Sequence, residues 1–489
     1  MGFTLSPKGE IKPLSRTPEE AVEFLRREKV QFVDLQFTDI PGRLHHVTVP
    51  TRTVDLNSFE EGFPKLDGSS IRGFTDIHNS DMLLMPDPST LAILPWESED
   101  RKTARIICDI HWGYGRGRFP RDPRGIAQRA EEVLRDQGYE YSLWGPEIEF
   151  FVFDEAHWDT HSPERGTGYH IGSKEAAWST SGTNYPIRFK EGYFPVTPHD
   201  TLMDFRGRCS QILEGNFGIL TDAHHHEVAT AGQCEIDLYR DTLVSMADTS
   251  MSFKYVVKNV AAQQGMIATF MPKPLFGDNG SGMHVNTSLW NNGTNLFYDG
   301  DDAYAEMSQL GRFFAGGLIA HSRALTAIVC PTTNSYRRLV PGFEAPTYIA
   351  WSRSNRSANV RVPTYQRGQR YAGRKRLEFR TPDPACNPYL TFAAVAAAGL
   401  DGIKRELDPG IPVDENIYAL DAEERRKRNV GDLPGNLVEA IEALEADADF
   451  LSPIFTPDVL EKIIDNGIHE HRDVAARPHP QEFQLYFDI

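Results

Sequence analysis

The sequence predicts an α+β protein made of two unequal domains. At 489 residues, the chain has room for more than one hydrophobic core. Two apolar, β-prone runs joined by turn residues lie near its start, whereas later strand-like segments carry charged side chains at period two. We therefore expect a small N-terminal domain over residues 17–113 and a large C-terminal domain over residues 121–489.

The composition argues against nucleic-acid and membrane proteins. With 51 basic and 69 acidic residues, the net charge is −18, which disfavours binding to phosphate backbones. The N-terminus lacks the apolar run of a signal peptide, and no apolar stretch approaches the roughly 18–20 residues that cross a bilayer. The cysteines form no C-x-x-C pair and are odd in number, which indicates a reducing, cytoplasmic location: Cys108, Cys209, Cys234, Cys330 and Cys386.

The small domain is expected to contain a capped helix and a hairpin. Thr17 opens a capping box with proline at the first helical position. Residues 38–42 have the chemistry of a hairpin turn between two apolar runs. The expected elements are a loose tail (1 to about 16), a helix (17 to about 29), two strands (30–37 and 44–49), a stretch that is not strand-like (60–74) and ends in an exposed loop (66–74), and a closing strand (104–110).

The large domain is expected to begin with a helix that Asp122 and Pro123 cap. Residues 113–118 resemble a phosphate loop only superficially, because the P-loop lysine is missing, and we interpret them as a linker. Residues 154–200 show no sustained periodicity and are expected to form a surface excursion. Helices are expected at about 122–138, 244–255, 302–328, 388–404, 434–446 and 457–470.

Acidic side chains recur in segments that are otherwise strand-like. Strand alternation sends Glu147 and Glu149 to the same face. Glu227 follows three histidines, and Glu235 and Glu378 lie in two further segments of this kind. Carboxylates are costly to bury unless they are paired or bound to metal. We therefore expect divalent cations to compensate these five.

A glycine-rich loop at residues 276–283 runs directly into an alternating segment. Glycine lacks a Cβ, so such a loop can offer backbone N–H groups to an anion at close range. The following strand would place His284, Asn286 and Ser288 on one face. Taken alone, such a loop is more often an ordinary turn, and a lone histidine is more often simply hydrogen-bonded. The nearby acids and arginines favour a site.

Arginines form a second group, at residues 337–361 and 374–380, among Pro, Gly and Asn. Their forks suit carboxylate and phosphate oxygens. Any single one is more often a surface charge, but their position beside a carboxylate-bearing segment favours a binding role.

With these residues assembled, the sequence resembles type I glutamine synthetase from about Glu19 to Ile489. The resemblance implies an α+β fold with an N-terminal β-grasp-like domain and a C-terminal catalytic domain whose curved antiparallel sheet bears the site. It also implies a homo-oligomer, a dodecamer of two hexameric rings with active sites shared between neighbours. The matching blocks include Leu66-Asp67-Gly68-Ser69-Ser70, Gly145-Pro146-Glu147-Ile148-Glu149-Phe150, His225-His226-Glu227-Val228-Ala229, Gly280-Ser281-Gly282-Met283-His284, Asn334-Ser335-Tyr336 and Arg380-Thr381-Pro382-Asp383-Pro384.

The resemblance implies an activity that assimilates nitrogen. ATP phosphorylates the side chain of glutamate, and ammonia then displaces phosphate from γ-glutamyl phosphate to give L-glutamine. Asp67, reaching in from a neighbouring subunit, would help deprotonate ammonium, and Glu344 would close the site as a flap. The implied residues are Asp67, Glu344 and Arg356 for catalysis; Glu149, Glu227 and Glu235 for one Mg²⁺ or Mn²⁺ and Glu147, His284 and Glu378 for another; Asn279, Gly280, Arg338 and Arg380 for glutamate; and Asn286, Ser288, Arg356, Arg361 and Arg376 for ATP.

Some positions depart from the family pattern. Arg240 stands where relatives have an aromatic residue near adenine, Asn286 replaces a histidine, and the loop at 366–373 is longer, which leaves the nucleotide contacts open. Tyr418 matches a tyrosine that is adenylylated in one bacterial branch, and it could equally be an unmodified surface residue.

Two other functions compete with this interpretation. A γ-glutamyl ligase could join glutamate to a larger amine, but the intact block at 67–70 and Glu344 favour ammonia. A catalytically silent assembly protein on the same fold would have no need to keep buried acids aligned.

Overall fold

The computed structural model describes residues 2–5, 11–14, 16–162, 164, 166–180, 182 and 184–489. A two-stranded hairpin opens the chain, formed by β1 (Gly2–Leu5) and β2 (Ile11–Leu14). The expected loose tail is therefore wrong for these eight positions. The remainder of its first 15 residues lies outside the described residues.

The small domain is built on a six-stranded sheet. Its strand order is β4-β3-β8-β6-β5, with β7 paired to β8, and β3 runs parallel to β8. The elements are α1 (Pro18–Arg27), β3 (Phe32–Thr38), β4 (Leu44–Pro50), α2 (Leu56–Glu61), β5 (Phe63–Asp67), β6 (Asp81–Pro86), β7 (Ala92–Ile93) and β8 (Thr103–Trp112). The predicted hairpin is confirmed as β3–β4, and the predicted capping box of Thr17 and Glu20 is present.

One prediction in this domain is wrong. Residues 60–74 were expected not to form a strand, but β5 lies within them and pairs with β6. The register of that pair shifts between Phe63 and Leu66, and these two residues are the buried ones of the strand. Because a bulge separates them by three positions, the period-two signal of a strand is lost from the sequence.

The large domain is organised around a ten-stranded sheet of order β12-β13-β9-β15-β19-β18-β17-β20, with β14 paired to β9 and β16 to β15. All pairs are antiparallel except β17–β18. The strands are β9 (Tyr141–Phe153), β12 (Thr221–His226), β13 (Gln233–Leu238), β14 (Ile267–Thr269), β15 (Met283–Asn291), β16 (Thr294–Asn295), β17 (Tyr348–Ser352), β18 (Ala358–Arg361), β19 (Leu377–Phe379) and β20 (Gly431–Asp432). A separate hairpin comprises β10 (Glu155–Asp159) and β11 (Gly168–Gly172). The predicted α+β class is confirmed.

Helices pack around this sheet, and several are buried on most of their surface. The longest, α5, and the alanine-rich α9 expose few side chains, so the prediction of an amphipathic helix at 244–255 is right in place but understates its burial. The helices are α3 (Pro123–Asp136), α4 (Met203–Phe217), α5 (Leu243–Gln263), α6 (Gln309–Ala320), α7 (Ser322–Val329), α8 (Ser335–Arg338), α9 (Pro388–Lys404), α10 (Ala422–Lys427), α11 (Leu437–Ala446), α12 (Pro457–Ala475) and α13 (Pro480–Tyr486). Among the described residues, no helix combines the length and apolarity that a membrane span requires.

Two further expectations need correction. The helix expected at 302–328 is two helices, because Asp302 caps a turn through Ala305 and Met307 before α6 begins, and the chain breaks again at His321. The excursion at 154–200 carries the largely exposed hairpin β10–β11, as a surface excursion should, but it is not wholly on the surface, because Glu175 and Ala176 within it are buried.

Candidate active site

A cavity of about 1250 Å³ is lined by residues of β9, β12, β13 and β15 and of the loops around β17 and β19. Antiparallel neighbours in a sheet place directly opposed Cβ atoms ~4.5–5.5 Å apart, so the register decides which side chains meet. The strands β12, β13, β9 and β15 lie next to one another in that order. Their acidic side chains therefore form rows across the sheet.

The first row crosses β12, β13 and β9. His225 lies opposite Glu235, and Glu235 lies opposite Glu149. Glu227 follows His225 by two residues, and one ligand atom from each of His225, Glu227 and Glu235 lies within 4.8 Å of the other two. One imidazole and two carboxylates at this separation could hold a divalent metal ion.

The second row crosses β13, β9, β15 and β19. Asp237 lies opposite Glu147, and Glu147 lies opposite His284, whose Nδ1 is 3.2 Å from Glu147 Oε2. Glu378 pairs with Asn286, two residues further along β15. The ligand atoms of Glu147, His284 and Glu378 also lie within 4.8 Å of one another. The structure thus brings together the three residues that the sequence assigned to one metal.

Glu149 differs from the residues it was grouped with. Gln233 Nε2 and the backbone N–H of Gly282 each donate to Glu149 Oε2 at 3.0 Å. His225, which the sequence analysis did not single out, takes its place in the compact group with Glu227 and Glu235. The assignment of Glu149 to a metal stays a prediction.

Burial disfavours the charged form of the carboxyl groups of the first row. Burial, and then the neighbouring Glu227, raises the pKa of Glu149 to about 8. Burial raises the pKa of Glu227 to about 7 and that of Glu235 well above its ordinary value. Within the described part of the chain, no lysine or arginine forms an ion pair with any of the three, and His225 alone approaches Glu227 and Glu235, at 3.5 and 3.9 Å. A divalent ion would supply the missing positive charge.

Glu378 is compensated by arginines instead. Arg361 Nη1 lies 2.6 Å from its Oε2, and Arg380 Nη1 lies 2.6 Å from its Oε1. The Nε atoms of Arg361 and Arg380 are buried and find no hydrogen-bond partner among the described residues. Unpaired buried donors of this kind fit a place where an anionic ligand binds.

The glycine loop before β15 approaches the site more closely than any side chain would permit. A Cβ at Gly282 would lie 2.8 Å from Arg338 Nη2 and 2.9 Å from His284 Nε2, and one at Gly280 would lie 2.4 Å from the Pro272 carbonyl oxygen. Arg338 itself is buried, and its Nη1 donates to the Thr381 carbonyl at 2.8 Å. Asn279 and Gly280 line the cavity beside it, as do Arg338 and Arg380.

The residues assigned to ATP are divided between the cavity and its wall. Arg376 Nε donates to Asn286 Oδ1 at 2.8 Å, and Asn286 Nδ2 donates to Glu147 Oε1 at 3.0 Å. Asn286, Ser288, Arg356 and Arg376 line the cavity, whereas Arg361 lies behind it, as Glu378 does. Arg240, the departure noted in the sequence, also lines the cavity, and its Nη1 donates to the Gly373 carbonyl at 2.7 Å.

The three remaining candidates occupy different positions. Asp67 ends β5 on the small domain and does not line the cavity of its own chain; hydrogen bonds from Ser69 lower its pKa. Glu344 is exposed at the cavity rim, and its backbone φ is 60°. This left-handed backbone conformation is uncommon for residues other than glycine. Tyr418 also lines the cavity, and its hydroxyl donates to the Ala345 carbonyl. Its adenylylation stays a prediction.

Sequence reasoning missed several side chains of this cavity. His225 could have been found, because strand alternation puts it on the same face as Glu227. Gln233 and Asp237 could have been found in the same way, because each lies two residues from Glu235 on β13. The side chains that the 154–200 excursion contributes carried no comparable signal: Lys190, Tyr193 and Phe194.

Comparisons with known proteins agree on one family. Residues 29–113 match the family described as "Glutamine synthetase, beta-Grasp domain", and residues 120–486 match "Glutamine synthetase, catalytic domain". The glutamine synthetase of Sulfolobus acidocaldarius is 54% identical over 97% of this chain and 99% of its own length. The glutamine synthetase of Frankia alni is 46% identical over 96% of this chain and 99% of its own length.

Solved structures give the same result. The chain resembles Plasmodium falciparum glutamine synthetase with a TM-score of 0.87 and 29% identity over 97% of this chain and 100% of that one. It also resembles a chain described as a "GmaS/ADP complex", with a TM-score of 0.79 and 30% identity over 96% of this chain and 99% of that one.

Proposed function

Because the chain belongs to the glutamine synthetase family, we propose that the cavity between β12 and β19 is the active site in which its reaction takes place. The enzyme ligates ammonia to L-glutamate with ATP and releases L-glutamine, ADP and phosphate, using a divalent metal ion. The observation that carries the assignment is that two groups of three possible metal ligands lie on adjoining rows of the sheet, and that within each group the ligand atoms lie within 4.8 Å of one another.

The donor sets fit two hard divalent cations. Carboxylate oxygens with one imidazole suit Mg²⁺ or Mn²⁺, whereas the thiolates that favour zinc are missing from both groups. We assign one ion to Glu227 and Glu235 with Glu149 or His225, and the other to Glu147, His284 and Glu378. When bound, such ions neutralise charge that develops on the transferring phosphoryl group.

The glutamate substrate is assigned to the loop side of the cavity. Arg338 and Arg380 supply guanidinium groups for its α-carboxylate, and the free Nε of Arg380 supports this orientation. Asn279 and Gly280 border the same space, where the glycine leaves backbone groups open to the ligand.

ATP is assigned to the opposite side, beside β15 and β19. Asn286, Ser288, Arg356 and Arg376 line that side, and arginine forks match phosphate oxygens. The similar structure that is described as an ADP complex supports nucleotide binding in this fold. Arg361 lies behind the cavity and would act by holding Glu378.

The reaction needs a dry site and a deprotonated nucleophile. A side-chain carboxylate oxygen of glutamate attacks the terminal phosphorus of ATP, ADP leaves, and ammonia then attacks the acyl carbon of γ-glutamyl phosphate with loss of phosphate. Glu344 closes the site as a flap and excludes water. Ammonium must lose a proton before it attacks, and we assign that step to Asp67 of the partner subunit.

The position of Asp67 supports a shared active site. It lies on the small domain, outside the cavity of its own chain, so a second subunit would have to supply it. We therefore propose a dodecamer of two hexameric rings with sites between neighbours. We also propose a cytoplasmic enzyme, which fits five buried cysteines that are all free.

The test is a coupled assay of phosphate and glutamine. Purified protein should release phosphate with glutamate, ATP, Mg²⁺ or Mn²⁺ and ammonium, and it should use methylamine and larger amines poorly. A preference for a larger amine would instead assign the chain to the alternative γ-glutamyl ligases.

A mixing experiment tests the shared site. Asp67→Ala and Glu378→Ala subunits should each be inactive alone, and co-assembled mixtures should recover part of the activity. Mixtures that co-assemble by mass yet stay inactive would contradict a site built from two subunits.

A further inference from the structure

The segment that carries Glu344 is held by aromatic and cationic contacts next to that residue. Gly342 has φ of 90° and Glu344 has φ of 60°, so two left-handed residues flank Phe343. Phe343 is half-buried and lines the cavity, whereas Glu344 is exposed. Because left-handed backbone costs free energy for a non-glycine residue, neighbouring contacts must stabilise this conformation.

Two lysines lie against the Phe343 ring. Lys273 Nζ is 3.7 Å from the ring centroid, and Lys190 Nζ is 4.1 Å from it. Lys190 Nζ also donates to the Gly342 carbonyl at 3.0 Å. Ammonium groups within ~6 Å of an aromatic centroid are attracted by the ring quadrupole, and more strongly where they are desolvated. Lys273 is 9% exposed, which strengthens its contact.

Both lysines are positioned by the loop that borders the glutamate site. The Asp278 carboxylate accepts the backbone N–H groups of Lys190 at 3.2 Å and Asn279 at 3.0 Å, and the Asp278 carbonyl accepts Lys273 Nζ. The Asp278 carboxylate also accepts the backbone N–H of Thr230, a residue in the turn after β12, at 2.7 Å. Asp278 is fully buried. The lysines are thus fixed on one rigid frame with the substrate loop.

Lys273 keeps its positive charge near neutral pH. Burial lowers the pKa of Lys273 to about 8. The Asp278 carboxylate raises this pKa, whereas the positive charges of Lys190 and Arg338 lower it further. At pH 7 the group is therefore mostly protonated.

The C-terminal side of the segment that carries Glu344 is held by a separate contact, because the Tyr418 hydroxyl donates to the carbonyl of Ala345.

We propose that Phe343 is a positioning residue that latches the Glu344 flap over the active site through Lys190 and Lys273. This inference rests on the proposed function, since the flap matters only if γ-glutamyl phosphate has to be kept from water. In the latched state, ammonia attacks the acyl carbon and the products are glutamine and phosphate. In the released state, water attacks the same carbon, the bond to the phosphate oxygen breaks, and the products are glutamate and phosphate.

The latch is tested by the ratio of phosphate released to glutamine formed. Phe343→Leu keeps an apolar side chain but removes the ring face, and Phe343→Tyr keeps the ring. Loss of the lysine–ring contacts in Phe343→Leu should increase the fraction of enzyme with an open flap about tenfold. We therefore expect the phosphate-to-glutamine ratio at saturating ammonium to rise at least several-fold. Phe343→Tyr should keep the wild-type ratio. In H₂¹⁸O, the Phe343→Leu enzyme should place ¹⁸O in the recovered glutamate.

The outcomes separate the latch from the proposed function. If the wild-type protein makes no glutamine, the proposed function fails regardless of Phe343. If it does and Phe343→Leu shows the wild-type ratio, or if Phe343→Tyr is equally uncoupled, the latch is wrong. Lys190→Met provides a second variant should Phe343→Leu fail to assemble, and an unchanged ratio in Lys190→Met would then overturn the proposal.

Discussion

Two clusters of acids in this molecule differ in whether a cationic side chain is paired with them. Where the domains meet, Arg124 on α3 binds Asp87, Asp109 and Asp248 at 2.6, 2.6 and 2.9 Å. The guanidinium is 5% exposed, and the aspartates raise its pKa well above the ordinary value. In the cavity, Glu149, Glu227 and Glu235 have no such partner among the described side chains, and their pKa values are raised.

The difference distinguishes a structural cluster from a binding site. An acid cluster that contains its own cation becomes strongly destabilising when that cation is removed. An acid cluster without one is destabilising until a ligand brings the charge, and such clusters mark functional sites. The group formed by Glu147, His284 and Glu378 lies between these extremes, because Glu378 is already paired with Arg361 and Arg380 while Glu147 and His284 face the cavity.

The largest expected effect is on catalysis. Glu235→Gln removes a charge from the first row, and we expect kcat to fall about 1000-fold, which corresponds to roughly 4 kcal/mol. In the presence of a chelator, however, its free energy of unfolding should equal or exceed that of the wild type, because a buried uncompensated carboxyl is gone. Activity assays and chemical denaturation of the same preparations measure both quantities.

Glu378→Gln is the matched control for this contrast. It should also lose activity, but its chelated form should be less stable than the wild type, because two buried guanidinium groups lose their anion. Equal stability changes in the two variants would remove the distinction between compensated and uncompensated acids.

Arg124→Met should produce the largest loss of stability. Removing the arginine leaves three carboxylates near one another, and we expect the free energy of unfolding to fall by about 3–5 kcal/mol. Arg118 pairs with the same Asp109 but is 48% exposed, so Arg118→Met should cost less than about 1 kcal/mol. Denaturant titration of both variants checks this, and a similar loss in both would contradict it.

The pH dependence of stability should separate the clusters next. Folding raises the pKa of Glu149 from 4.5 to about 8, so the folded state binds its proton more tightly than the unfolded state. Its contribution is fully present below pH 4.5 and is lost as pH rises toward 8. In chelator, the stability of Glu149→Gln relative to the wild type should therefore increase over that interval. A difference that is constant with pH would show that Glu149 is ionised in the apo protein.

The smallest effect is expected at the loop. Gly282→Ala would place a Cβ against Arg338 and His284, both of which are flexible ends that can shift. We expect KM for glutamate to rise about tenfold, which is 1.4 kcal/mol, with little change in the melting temperature. An unchanged KM would mean that the loop has room to adjust without disturbing Arg338.

The parts that the sequence predicted are those with a local signal. The capping box at Thr17, the β3–β4 hairpin and the carboxylates at period two on β9 follow from neighbouring residues alone. The strand β5 was missed because its bulge removes the alternation, and the break at His321 depends on contacts with the distant Asp401 and Asp447. Local patterns contain no information on such contacts.

The same limit applies to the site. Strand alternation puts Glu147 and Glu149 on one face, but only the pairing of β9 with β13 and β15 shows that Glu149 faces Glu235 whereas Glu147 faces His284. The latch at Phe343 could not be predicted, since Lys190 and Lys273 come together through Asp278 and no periodicity connects them.

Proton release on metal binding shows whether divalent cations replace protons on the carboxyl groups of Glu149, Glu227 and Glu235. Calorimetric titration of the chelator-treated protein with Mn²⁺ at pH 7, in buffers of different ionisation enthalpy, gives the number of protons released. We expect tight binding with net proton release that diminishes toward pH 9, and less release from Glu149→Gln than from the wild type. Binding of Mn²⁺ without proton release at pH 7, or no binding at all, would contradict the account.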